Sequence, residues 1–128
     1  MVIDSSAVIA ILLGEPQAEA LATRIEADPR RLMSAANALE AAMVVESRYG
    51  LAGGRDLDRL LDRARVDIVA VTRDHFDLAR EAWRRFGKGH HSAALNICDC
   101  LAYALSKSSG EPLLFVGDDF AKTDVIAA

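Results

Sequence analysis

The chain has 128 residues, 52% of them hydrophobic, and a formal net charge of −4. That is enough for one core and one domain over residues 1–128, and the acidic balance excludes a protein that grips nucleic acid by bulk positive charge. No apolar run approaches the roughly 20 residues that cross a bilayer, so no membrane partner is expected.

The start, Met1-Val-Ile-Asp4, has no basic region ahead of its apolar residues, which argues against a signal peptide. Cys98 and Cys100 form no disulfide framework, and the expected location is the cytoplasm. Met1 to Asp4 reads as a first strand, apolar throughout, as suits a parallel sheet covered on both faces. Ligand sites in such sheets lie beyond the carboxyl ends of the strands, where Asp4 stands. Ser5 or Ser6 is expected to cap a helix that carries Val8, Ile9, Ile11, Leu12 and Leu13 and ends at Gly14. Residues 17–27 read as an amphipathic helix with Ala20, Leu21 and Ile25 inward, broken by Asp28-Pro29, and residues 31–34 as a short strand.

Residues 37–49 form the next predicted helix, with Leu39, Ala42 and Met43 on its inner stripe and Gly50 as its stop. Within it, Asn37-Ala-Leu-Glu40 has the form of a capping box. A turn at Gly53-Gly54 is expected to lead into a charged helix through Leu57, Leu60, Leu61 and Ala64. Residues 68–71 read as a strand, and residues 74–86 as a helix with Phe76, Leu78, Ala79, Ala82, Trp83 and Phe86 on its apolar side. A loop over residues 87–92 precedes a helix over residues 96–109, then a last strand at residues 113–116 and the turn Gly117-Asp-Asp-Phe120. Strands alternating with helices predict a doubly wound α/β fold.

The acidic residues recur in one setting. Asp4 ends the first strand, Asp118 and Asp119 follow the last, and Glu40 and Asp99 lie near the starts of helices at the same edge. Each has a structural explanation: Asp4 as a helix cap, Glu40 as half of a capping box, Asp99 as a partner of the helix dipole, and Asp118-Asp119 as turn residues. Together they fit chemistry better. Buried carboxylates are costly unless paired or metal-bound, and no lysine or arginine neighbours Asp4 or Asp99 in sequence. A hard divalent cation, which prefers carboxylate and water oxygens, would remove their repulsion.

Asp4-Ser-Ser-Ala, Glu40, Asn96-Ile-Cys-Asp-Cys100 and the segment from Leu113 to Asp124 resemble the PIN-domain ribonucleases, and among them the VapC toxins of bacterial toxin–antitoxin pairs. The resemblance covers nearly the whole chain. It implies a three-layer α/β/α PIN-like domain with a central, mainly parallel sheet. It also implies an endoribonuclease that uses Mg²⁺, with Mn²⁺ as the alternative, and leaves a 5′-phosphate and a free 3′-hydroxyl. Carried onto this sequence, the catalytic acids are Asp4, Glu40, Asp99 and Asp119, and the metal ligands Asp4, Asp99 and Asp119 or Asp118, with Asp119 favoured. Ser6 and Asn96 match polar positions that border the site, and Cys98 stands where glycine is common. The implied partners are RNA, a cognate VapB-type antitoxin that could insert an arginine between Asp4 and Asp99, and a second copy in a homodimer.

Lys88 and His90, with His91, Arg84 and Arg85, form a local basic patch that is either a solvated face or a contact for the RNA backbone. His75 is expected at the surface or at a helix start, Trp83, Phe86 and Tyr103 in the core or a dimer contact, and the two cysteines as small buried groups. Two rival readings remain. A phosphotransferase using Asp4 as nucleophile would want an acid where Ser6 stands, and no phosphate-binding glycine loop is present. A catalytically silent module that only engages an antitoxin is disfavoured by the intact set of acids.

Overall fold

Strands Val2–Ile3 (β1), Leu32–Ser34 (β2), Asp67–Val69 (β3) and Leu113–Leu114 (β4) pair in parallel, in the order β3-β2-β1-β4, in the computed structural model of residues 1–128. Successive side chains of a strand point to opposite faces, and the central strands use both. Ile3, Met33 and Leu114 join one buried cluster, with Ala7, Val8, Leu21, Ile25, Ala41, Val45 and Leu57. Val2, Leu32 and Leu113 join another, with Ala82, Phe86, Cys100, Tyr103 and Leu105. The first face is covered by helices Ser5–Leu12 (α1), Ala18–Ala27 (α2), Ala35–Tyr49 (α3) and Leu51–Arg63 (α4). Arg73–Phe86 (α5) and Ile97–Ser109 (α6) cover the second. This is the expected three-layer architecture with all four strands parallel.

Several local expectations change. Asp4, rather than Ser5 or Ser6, caps α1. Helix α3 begins two residues earlier than predicted and is capped by Ser34, whose hydroxyl accepts from Ala36 N–H at 3.4 Å. Asn37 and Glu40 therefore form no capping box, and both lie within the helix. The inner stripe of α3 is Asn37, Ala41 and Val45, whereas Leu39 and Met43 are each 62% exposed. Gly53 and Gly54 make no turn but sit in the first turn of α4, facing α3. A Cβ on Gly53 would come within 2.5 Å of the Val45 carbonyl, so only glycine permits this approach of the two helices. The actual break is Gly50, at φ +64°.

On the other face, Phe76 and Trp83 are half-exposed while His75 is buried, at a helix start rather than at the surface. His75 occupies the third position of α5 in a reciprocal cap with Thr72, and its Nε2 lies 3.0 Å from Ser108 Oγ. The strand predicted at residues 68–71 is displaced to β3 at the sheet edge, where Asp67 and Ile68 are exposed.

Candidate active site

Asp4 follows β1 directly, and its backbone N–H donates to Leu114 C=O at 2.9 Å, placing it at the carboxyl edge of the sheet. Its side chain is 3% exposed. Oδ2 accepts from Ser6 N–H at 3.0 Å and from Ser6 Oγ–H at 2.6 Å. Ser6 Oγ in turn accepts from Val116 N–H at 3.0 Å, tying the end of β4 to the start of α1. Oδ1 accepts from Asn37 Nδ2 at 3.0 Å. Asp4 is thus at once a helix cap and a buried carboxylate.

Glu40 extends from α3 one turn after Asn37, and Ser5 Oγ–H donates to its Oε2 at 2.5 Å. Asp99 lies in the first turn of α6, capped by Asn96. Asn96 N–H donates to Asp99 Oδ2 and Asp99 N–H donates to Asn96 Oδ1, both at 2.9 Å. Asp118 and Asp119 are exposed after β4, reached through Gly117 at φ +100°.

These carboxylates affect one another. Burial pushes the Asp99 carboxyl up to about 6, the Asn96 N–H opposes the rise, and the charges of Asp4, Glu40 and Asp119 add to it. Burial likewise raises Asp4, with the Ser6 hydrogen bonds opposing and the Glu40 charge assisting. The direction is the one expected for clustered acids, but desolvation leads and mutual repulsion follows. Of the pair after β4, Asp119 stands among the leading charges that raise Asp99. No lysine, arginine or histidine forms an ion pair with Asp4, Glu40, Asp99, Asp118 or Asp119.

The donor set fits a hard divalent cation. Every ligand offered is a carboxylate oxygen, and Asp4 and Asp99 each retain an oxygen that is not saturated by donors. No three His, Cys, Asp or Glu side chains close into a ready cage. An open arrangement of this kind suits Mg²⁺, which keeps several waters and takes only one or two carboxylates from the protein. Cys98 borders the acids half-buried; burial, then the charge and hydrogen bond of Glu40, push its thiol up to about 11 and keep it protonated. Cys100 is buried in the core cluster on the other side of the helix, so the two cysteines do face different ways.

Lys88 and His90 make no hydrogen bond or ion pair to the acids. The His90 ring packs edge-on against Trp83 at 4.3 Å, and Arg85 is engaged by Asp124, which leaves the basic patch smaller than the sequence implied. A concavity of about 570 Å³ does not lie over the carboxylates. It runs between α5 and α6, lined by Phe76, Trp83, Leu101 and Ile97, the last 78% exposed.

Two residues of the site escaped the sequence reading. Ser5 reads in the sequence only as a cap, yet its hydroxyl holds Glu40. Asn37 reads as part of a capping box, yet it is fully buried and binds Asp4. The available signal was spacing: Asn37, Ala41 and Val45 recur every four residues, which marks a polar group on the buried stripe of α3.

The PIN domain family model matches residues 1–126. The chain is 57% identical over 127 residues to Ribonuclease VapC of Mycolicibacterium smegmatis, covering 99% of this chain and 98% of the relative. The fold is similar to the crystal structure of Mycobacterium tuberculosis VapC20, described as a sarcin–ricin loop cleaving toxin. The TM-score is 0.81 at 16% identity, covering 99% of this chain and 97% of that one. It is also similar to a chain in a toxin–antitoxin complex from Klebsiella pneumoniae, with a TM-score of 0.73 at 16% identity, covering 99% and 95%. With the family model and a near-full-length relative in agreement with the fold and its acidic edge, the chain belongs to the PIN-domain family and, within it, to the VapC ribonucleases.

Proposed function

We propose that the protein is the toxin of a VapBC-type pair, a Mg²⁺- or Mn²⁺-dependent endoribonuclease whose ion is held by Asp4, Asp99 and Asp119, with Glu40 as a further ligand directly or through water. The observation that carries this reading is the set of carboxylates gathered at one sheet edge with no cationic partner, the Asp99 carboxyl raised to about 6. When bound, the ion activates water for attack on phosphorus and offsets the charge that develops on the phosphate. The protein's part is positional. Ser6 fixes Oδ2 of Asp4 and leaves Oδ1 facing the cluster. Asn96 fixes Oδ2 of Asp99, and Ser5 holds one oxygen of Glu40. No side-chain nucleophile is needed, and the Cys98 thiol stays protonated beside the site. The products are a 5′-phosphate and a free 3′-hydroxyl.

An unpaired acidic edge also supports the antitoxin reading. An arginine supplied by the partner could bridge Asp4 and Asp99 and silence the site. Exposed Leu39, Met43, Tyr49 and Leu51 on α3 and α4, and Phe76, Trp83 and Ile97 on α5 and α6, supply apolar faces for an antitoxin and a second copy. The test is cleavage of single-stranded RNA by the purified protein: activity in Mn²⁺, none in EDTA, and none in Asp4→Asn. Full activity in EDTA overturns the metal-dependent reading.

A further inference from the structure

Asn37 is 0% exposed on the inner stripe of α3. Both hydrogens of its Nδ2 are used, on two different elements. One goes to Asp4 Oδ1 at 3.0 Å, the other to the Cys98 carbonyl, one residue before Asp99, at 3.2 Å. Its own Oδ1 is buried with no donor. A residue kept for packing alone would not bury an unmatched carbonyl where a leucine of nearly the same shape would fit. The amide is therefore explained by what its nitrogen holds.

Counting lone pairs sharpens the point. A carboxylate has about four acceptor directions, two on each oxygen. On Asp4, Ser6 fills both at Oδ2 and Asn37 fills one at Oδ1, so a single direction remains open. Through Cys98, the same amide fixes the start of α6 relative to β1, and with it the separation of Asp99 from Asp4. A hydroxyl has one proton and could serve only one of these acceptors. Aspartate would serve neither and would add a charge.

We infer that Asn37 is a positioning residue for the divalent cation, aiming the open lone pair of Asp4 and setting its span to Asp99. The inference rests on the metal-dependent reading above. Partners of this kind around a metal site change its affinity by about 10- to 100-fold when removed.

The test is calorimetric titration of Mn²⁺ into the metal-free protein without RNA, for wild type, Asn37→Leu and Asn37→Ser, with a melting curve of each in EDTA. Asn37→Leu is expected to melt cooperatively and to bind Mn²⁺ at least about tenfold more weakly, with Asn37→Ser between it and wild type because one donor survives. A folded Asn37→Leu with the wild-type dissociation constant overturns the proposal. If that variant fails to fold, Asn37→Ser decides: weaker binding supports the role, and unchanged binding refutes it. A purely structural Asn37 would lower the melting temperature and leave the dissociation constant alone. Wild type that binds no Mn²⁺ would be a different result, removing the metal-dependent reading along with the role built on it.

Discussion

The two ends of β1 hold carboxylates under opposite conditions. At the amino end, the Met1 ammonium lies 3.1 Å from Asp28 and 2.9 Å from Glu111, and Arg30 lies 3.1 Å from Glu111. The hydrogen bond from that ammonium leads in holding Glu111 below the usual carboxylate range. Asp28 is raised by burial but pulled down further by the Arg30 N–H and the terminal ammonium, and ends lowered. At the carboxyl end, a few residues away, Asp4 and Asp99 are raised and have no cation at all. The same residue type is therefore satisfied at one edge of the sheet and left wanting at the other. A carboxylate with its counter-charge inside the fold secures structure, and one without it is poised for a charge from outside.

The largest effect that separates the two ends should be catalytic. Asp4→Asn or Asp99→Asn should reduce RNA cleavage by about a thousandfold or more, since metal-ion charge stabilisation is worth several kcal/mol. Glu111→Gln at the other end should cleave at the wild-type rate, and equal losses at both ends would erase the distinction. Metal binding should come next. Mn²⁺ at a hundred times its dissociation constant should stabilise wild type by about 2.7 kcal/mol if only the native state binds. Asp119→Asn should lose more of that gain than Asp118→Asn, read as the shift in melting temperature on adding Mn²⁺.

The dependence on pH should run in opposite senses. Asp99 has a folded value of about 6 against an ordinary 3.8, so it favours the native state at low pH, and that benefit is lost as pH rises through about 6. Asp28 and Glu111 are lowered, so their contribution is present above the ordinary values of 3.8 and 4.5 and is lost as pH falls through their lower folded values. Melting of the metal-free protein should therefore be highest near those ordinary values and fall as pH rises towards about 6, and a curve that rises steadily to pH 8 contradicts this. Glu111→Gln should give the smallest effect, a melting temperature lowered by a few degrees at pH 7, with its Mn²⁺ response intact.

Much of this was legible in the sequence because the relevant patterns are short-range. An apolar run ending in Asp marks the carboxyl end of a buried strand, and Asn96 three residues before Asp99 is a true reciprocal cap. The same spacing misled at Asn37. Asn37-x-x-Glu40 has the same form, but Ser34 had already started the helix, which moved Asn37 from its end to its buried face. Leu39 and Met43 misled in turn, since helical spacing identifies an apolar stripe without saying whether the core or the surface receives it. Here the sheet takes Asn37, Ala41 and Val45 instead. Gly53-Gly54 reads as a turn to local propensity, and only the packing of α4 on α3 reveals a need for small residues inside a helix.

The most direct measurement compares melting of wild type and Asp99→Asn at pH 7, in EDTA and in Mn²⁺. Asparagine keeps the shape and an oxygen for the Asn96 N–H while removing one uncompensated charge. The variant should melt at or above wild type in EDTA, and the order should reverse in Mn²⁺. A variant that melts well below wild type in EDTA would make Asp99 a structural cap and contradict the poised, uncompensated edge.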